Sequence, residues 1–462
     1  MSLKPDYKTS SSSEHPTGKM CGMKTTRLFA LPCLLCALSF ATGAPGQGSG
    51  TGKQQGLARG VGYTHLRRAT PAGEPWSIHV LEVSRRQKSV VLEAVRGAGA
   101  TGEMRRELPT EMARRAAASG KKVIAVVNGD YDLAAPLLGV SDGLAVSAGA
   151  ITTTGRPTWP AMGVTSSGEP LIGVPQVEMV LQSRRRSWRI AALNKPLGTA
   201  YETGPYLYTR EFRATVKRDR AFRAVVIGKL SRGLPLRADA TLRGVVEEII
   251  EGATEAPIPA GKLVLVEQMP KEARSGSDPA GEKGRQEGSS RNGGITTGAG
   301  ARTALRAGEK VKLRVRVSMN GRTKLRHVIG GFPILVEQGR KSIVGQPSVS
   351  LALRRHPRTA VCTNEQKIIL VVVDGRQPQL SVGMTLDELA DLMLELGCTT
   401  AMNTDGGGSS VMAVAARAEG AGNADNAGAV GARYILPLRI VNSPSDGQER
   451  GRGNAWIVVK SK

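Results

Sequence analysis

Between Lys367 and Asp405 the chain spells out a strand, a helix and a second strand with almost no slack. Lys367 to Val373 is an unbroken run of Ile, Leu and Val behind one lysine, the pattern of a strand buried on both faces. It ends at Asp374-Gly375, a turn signal. Thr385 and Glu388 stand at capping-box spacing, and Leu386, Leu389, Ala390 and Met393 then recur on one helical face. Gly397 stops the helix. Cys398 to Met402 reads as a second short strand that runs into Asn403-Thr404-Asp405. Connections this tight predict a parallel crossover unit. The expected fold class is therefore α+β: a mixed β-sheet core with flanking helices, in one main domain.

The same order occurs earlier. Thr110 to Ser119 reads as a helix closed by Gly120, Lys122 to Val127 as an apolar strand, and Asn128-Gly129-Asp130 follows. In open α/β sheets ligands gather beyond the carboxyl ends of strands. Asn128, Asp130, Asp374, Asn403 and Asp405 are all expected at such ends.

The domain is expected over 73–461, with its first strand near Trp76. Residues 45–72 are read as a flexible leader. Residues 270–303 are Gly, Ser and charge, and they cannot bury enough apolar surface to offset chain entropy, so they are expected to be a disordered insertion. The Ala/Gly-rich patch at 415–432 is read the same way. Residues 1–44 are read as a signal-peptide region. Lys24 and Arg27 precede an apolar run from Leu28 to Ala41, followed by Thr42, Gly43 and Ala44. That run is short of the roughly 20 apolar residues a spanning helix needs. The expected location is outside the cytoplasm, secreted or in the cell envelope, with no stable membrane span once the signal is removed. The other reading is an uncleaved anchor. Of five cysteines only Cys362 and Cys398 lie beyond this region. In an exported chain they could pair, and two buried free thiols are the alternative.

The net charge is +25, and about +20 of it falls outside both the first 44 residues and 270–304. A basic body suits anionic partners. Aromatics make up only 3% of the chain, and no recognised nucleic-acid motif accompanies the basic stretches, so no nucleic-acid partner is expected. No Cys/His cluster has zinc spacing.

The strongest local signal is Asn403-Thr404-Asp405-Gly406-Gly407-Gly408-Ser409-Ser410. Three glycines free the backbone to approach a ligand, and a carboxylate stands beside them. This block resembles the Asn-Leu-Asp-Gly-Gly-Gly-Ser-Ser motif of the phosphodiester glycosidase family. Five further blocks are similar to that family's and keep their order. They are Asn128-Gly129-Asp130-Tyr131; Ile329 to Val336 with Gly339; Pro357-Arg358-Thr359-Ala360-Val361; Asp374-Gly375-Arg376 with Ser381 and Gly383; and Asn442 to Gly447 with Arg450. Cys362 stands where Gly is usual, and Ser443 where Arg is usual. The best-matched part is 123–459.

The resemblance implies hydrolysis of the glycosidic C–O bond in a sugar-1-phosphodiester, within a phosphorylated glycan or an envelope exopolysaccharide. It implies Asp405 facing the sugar or water, with Asn403 and Asn128 orienting that carboxylate or the sugar hydroxyls. Asp374 is a second carboxylate candidate, for a general base. Arg358 is expected to clamp the phosphate, with donors from Thr359, Gly406, Gly407, Gly408, Ser409 and Ser410. No cofactor and no metal site are expected, although clustered Asp and Ser oxygens could hold a divalent cation. Two alternatives stay open: a metal-dependent phosphodiesterase, and a non-catalytic binder of anionic envelope glycan.

Overall fold

The computed structural model describes residues 52–100, 102–184, 186–197, 204–268, 295–296, 303–345, 347–416 and 437–461. The site-bearing strands and helices are β1 (Gln55–Ala58), β2 (Val61–Ala69), β3 (Pro75–Ser84), β4 (Val90–Arg96), α1 (Pro109–Ala118), β5 (Lys122–Asn128), β6 (Leu325–Gly330), β7 (Ile334–Glu337), β8 (Arg340–Val344), α2 (Val349–Leu353), β9 (Arg358–Thr363), β10 (Lys367–Val373), α3 (Leu386–Glu395), β11 (Thr400–Asn403), β12 (Met412–Ala415), β13 (Leu438–Ile440) and β14 (Asn454–Lys460).

The first sheet has the order β1-β2-β3-β10-β9-β11-β7-β8 and the second β13-β12-β5-β14-β4. Every pairing in both is antiparallel. The two sheets share a core in which Leu370, Val372, Val361 and Met402 of the first meet Ala125, Val127, Met412 and Trp456 of the second. The opposite face of the first sheet packs Ile369, Val371 and Val373 against Leu386, Leu389 and Met393 of α3. The opposite face of the second packs Val126, Ala413 and Ile457 against Met112, Ala113 and Ala116 of α1. The site thus sits on a helix–sheet–sheet–helix stack. A third sheet of five strands, through β6, and a nine-stranded sheet built within residues 176–318 complete the fold.

This overturns the α+β expectation. The chain is mostly β, with three α-helices among the described residues, and its sheets are antiparallel apart from two short parallel pairings in the nine-stranded sheet. The crossover is also corrected. β10 and β11 do run in the same direction, but β9 lies between them and pairs antiparallel with both. The misreading has a physical cause. A continuous apolar run signals burial on both faces, which is most familiar from parallel sheets. Here a partner sheet on one side and α3 on the other bury β10 just as completely.

Helix α3 starts as expected. Thr385 accepts from the Glu388 amide and Glu388 reaches back to the Thr385 amide, a cap worth about 1 kcal/mol. Strands β1 and β2 fall within the stretch read as a leader. Val61, Tyr63 and Leu66 are buried there, so the first sheet begins well before Trp76. The signal region, the insertion apart from 295–296 and 303, and most of the Ala/Gly-rich patch lie outside the described residues. Among the described residues no helix is long and apolar enough to cross a membrane.

Candidate active site

Six chain segments meet at one end of the sheet pair. β5, β10 and β11 deliver Asn128, Asp374 and Asn403 at their carboxyl ends. The antiparallel neighbours β9, β12 and β14 begin there, at Arg358, just after Ser410, and just after Arg452. The two Asn-x-Asp segments clasp each other. The Asp405 amide donates to Gly129 O (3.1 Å), and Asn128 Nδ2 donates to Asp405 O (2.7 Å). Asn128 Oδ1 accepts from Thr359 Oγ1 (2.9 Å) and from the Val411 amide (3.0 Å). Ser410 Oγ lies 3.2 Å from Thr359 Oγ1. Asn403 Nδ2 is within bonding distance of Tyr131 Oη (2.8 Å), Phe332 O (2.7 Å) and Thr404 O (2.8 Å).

The structure brings together all eleven residues named from the sequence but gives them unequal exposure. Nine are buried, while Asp405 and Gly406 reach the surface. The Asp405 side chain is 14% exposed and contacts Arg452, which also lies 3.3 Å from the buried carboxylate of Asp132. Burial pushes the Asp405 carboxyl above its ordinary value, while Arg452 and a hydrogen bond from Ser409 oppose that rise.

Asp374 is placed differently from a general base. Oδ2 accepts from Ser77 Oγ (2.8 Å) and His79 Nε2 (2.9 Å), and Oδ1 from Asn442 Nδ2 (3.1 Å) and the Ser443 amide (2.8 Å). Burial would raise it, but these donors, His79 foremost, hold it below the usual carboxylate range. Four donors occupy its lone pairs, so it acts as a brace that ties β3 and β10 to the Asn442 loop. Arg358 is likewise internal. Nε donates to Met384 O (2.7 Å), and one Nη to Leu351 O (2.7 Å) and Arg354 O (2.9 Å). Burial lowers the guanidinium to about 10.

The glycine turn is also partly spent. The amides of Gly407, Ser409 and Ser410 donate to Pro357 O, Gly406 O and Gly407 O. An anion could therefore draw on the Gly406 and Gly408 amides. Only glycine fits at two of the three positions without strain. A Cβ on Gly406 would meet Pro357 O at 2.7 Å, and Gly407 has φ +62°.

What flanks this turn was missed in the sequence. Arg376 lies over Gly407, where a Cβ would stand 3.1 Å from its guanidinium. It is exposed, and an Nη lies 3.3 Å from His356 Nδ1. Arg450 and the exposed Asp446 carboxylate it pairs with both lie over Gly408. Arg452 and Asp132 complete the set. The blocks holding Arg376 and Arg450 were recognisable. The single Arg452 in Gly-Arg-Gly carried no signal. We expect Arg376→Ala to raise KM for a phosphodiester substrate about tenfold, the loss of one charged hydrogen bond, with the melting temperature unchanged. Steady-state kinetics on the variant check this.

Comparison with known families decides the assignment of this segment. Residues 269–459 match the phosphodiester glycosidase family model. The resemblance read from the sequence therefore holds for that part of the chain. Asn128 and its neighbours, which the fold brings to the same site, lie outside it. Solved structures show similar folds. A hypothetical protein from Synechocystis superposes with a TM-score of 0.62 at 15% identity, over 89% of this chain and 64% of that one. This chain therefore spans just under two thirds of that relative's length. A protein from Burkholderia pseudomallei K96243, named as a candidate exported protein, superposes with a TM-score of 0.55 at 18% identity, over 84% and 74% of the two chains. The pro-peptide-inhibited catalytic domain of zebrafish N-acetylglucosamine-1-phosphodiester alpha-N-acetylglucosaminidase aligns over 87% and 82% at 14% identity, with a TM-score of 0.39, a superposition too loose to compare positions. No curated protein matches. Among the described residues no group of three or more His, Cys, Asp or Glu side chains is placed to hold a metal ion.

Proposed function

We propose that this chain is an exported hydrolase that breaks the glycosidic C–O bond of a sugar-1-phosphodiester. The observation that carries the reading is the partly exposed carboxylate of Asp405, set between Arg452 and a glycine turn overhung by Arg376 and the Arg450–Asp446 pair. The family match over 269–459 supports the same class. The arrangement divides the labour. Arg376, Arg450 and the Gly406 and Gly408 amides face the phosphate. Asp405 faces the anomeric carbon, where it stabilises oxocarbenium-like charge or takes a proton from the attacking water. Water adds to C1, the C1–O bond breaks, and its electron pair leaves with the phosphate oxygen. The group that leaves is a phosphate monoester, whose oxygen is far less basic than an alkoxide, so strong protonation of the leaving oxygen is not needed. Asn128, Thr359, Asp374 and Arg358 position the loops that carry these groups.

Export is part of the proposal because of the apolar run from Leu28 to Ala41 behind Lys24 and Arg27. The glycan is proposed as an extracellular or envelope one. Hydrolysis of a defined sugar-1-phosphodiester in ¹⁸O-labelled water tests the bond. Label in the sugar hydroxyl is the expected result. Label in the phosphate moves the chain to phosphodiesterase chemistry and removes the role given to Asp405.

A further inference from the structure

The strand Lys310–Ser318 alternates strictly. Val311, Leu313, Val315 and Val317 are buried, while Lys310, Lys312, Arg314 and Arg316 are exposed on the other face. Alternate residues on a strand recur at roughly 7 Å, so the four cations form an evenly spaced row. The neighbouring strands do not neutralise it. Strand Thr241–Pro257 sets Arg243 directly opposite Lys312 and Thr241 opposite Arg314. Strand Gln176–Ser183 sets Gln182, Val180 and Glu178 opposite Lys312, Arg314 and Arg316. Like charges directly opposed destabilise a sheet, and here only Glu178 is acidic. None of Lys310, Lys312, Arg314, Arg316 and Arg243 forms an ion pair within the described residues. An anionic partner lying on the face would relax this repulsion.

A groove of about 600 Å³ continues from the row, lined among others by Arg316, Arg189, Glu178, Gln176 and Arg156. At its inner end Arg156 pairs with Asp142 (2.9 Å) and lies 4.8 Å over the Trp159 ring. Trp159 packs 5.9 Å from Tyr131, whose hydroxyl meets Asn403 Nδ2. The groove's lining ends at Arg156 and Pro157, and packed side chains, Trp159 and Tyr131, connect that end with Asn403, two residues before Asp405.

We infer that this cationic row and the groove beside it bind a phosphodiester-linked glycan polymer and lead it to the site. The leading role rests on the glycosidase reading above; the binding does not. The spacing of the row is of the order of one sugar ring plus one phosphate. A nucleic acid fits less well, because bases need aromatic platforms and Trp188, on the adjoining strand, is 4% exposed.

The test uses the full chain and a fluorescent polymer of about ten hexosyl-phosphate repeats. Wild-type protein is expected to bind it with an affinity that falls as salt rises. The variant Lys312→Glu/Arg314→Glu/Arg316→Glu is expected to bind at least about tenfold more weakly. Lys312→Gln/Arg314→Gln removes charge without reversing it, and serves if the first variant does not fold. Turnover of a one-repeat chromogenic phosphodiester is expected to stay unchanged in both. Three results would overturn the inference: no polymer binding by the wild type, equal binding by folded variants, or equally tight binding of single-stranded DNA of matched charge. An equal loss of one-repeat turnover would overturn it too, since the face would then not be a separate subsite. If the wild type binds polymer but hydrolyses neither substrate, the glycosidase reading fails and the surface stands.

Discussion

Asp405→Asn is expected to lower kcat by about 10²- to 10⁴-fold with KM little changed, the signature of a group that acts in the transition state. Asparagine keeps the shape and removes the charge. The backbone clasp with Gly129 and Asn128 does not involve the carboxylate, so the loop should stay in place. Arg452 keeps Asp132 as a partner. The pH profile adds a second reading. Burial raises the Asp405 carboxyl above its ordinary value, so the acid limb of the wild-type kcat/KM profile should lie above the usual carboxylate range. That limb should vanish in the variant. The stability linkage has the opposite sense. A raised carboxyl favours the folded state at low pH, and this contribution is lost as pH rises through its folded value. The variant should therefore lose none of its stability relative to wild type on that account at neutral pH. Retention of more than about a third of wild-type kcat would remove Asp405 from the chemistry.

The second large effect is on stability. Cys362 and Cys398 are joined in a disulfide, with Cα atoms 5.8 Å apart, which settles the two readings left open by the sequence. The bond ties β9 to the start of β11 across 36 positions of chain. Replacing both cysteines with alanine is expected to cost about 3–4 kcal/mol on the loop-entropy model. Both sulfurs are buried, so alanine avoids placing hydroxyls in the core. Urea unfolding of the variant, and of wild type under reducing conditions, should give the same loss. A change below about 1 kcal/mol would mean that the sheet holds this register without the bond.

The site was legible because its signals are local. Glycines that must pass close to another backbone, and polar residues at the ends of apolar runs, announce themselves within a few positions, as Asn403 to Ser410 and Asn128 to Tyr131 do. Roles were less legible than places. Asp374 and Arg358 looked like chemistry, yet hydrogen bonds turn both inward, those of Arg358 to carbonyls 4 to 26 positions away and those of Asp374 to distant segments. Ser77, His79 and Asn442 lie up to 297 residues from Asp374 along the chain, and no spacing rule connects them. Arg452 was invisible for the same reason. The fold was misjudged at one step. An apolar run reports that both faces of a strand are covered, but it does not say whether helices or a second sheet cover them, or which strand is the neighbour.

The family-matched stretch begins at residue 269, yet β14 at its far end hydrogen-bonds on both sides to strands from before that point, β4 and β5. The molecule is therefore not divisible there. A chain started at 269 would leave β14 with two bare edges and no Asn128 or Gly129 to clasp Asp405. Truncation would remove solubility and the site together, because open strand edges invite pairing between copies.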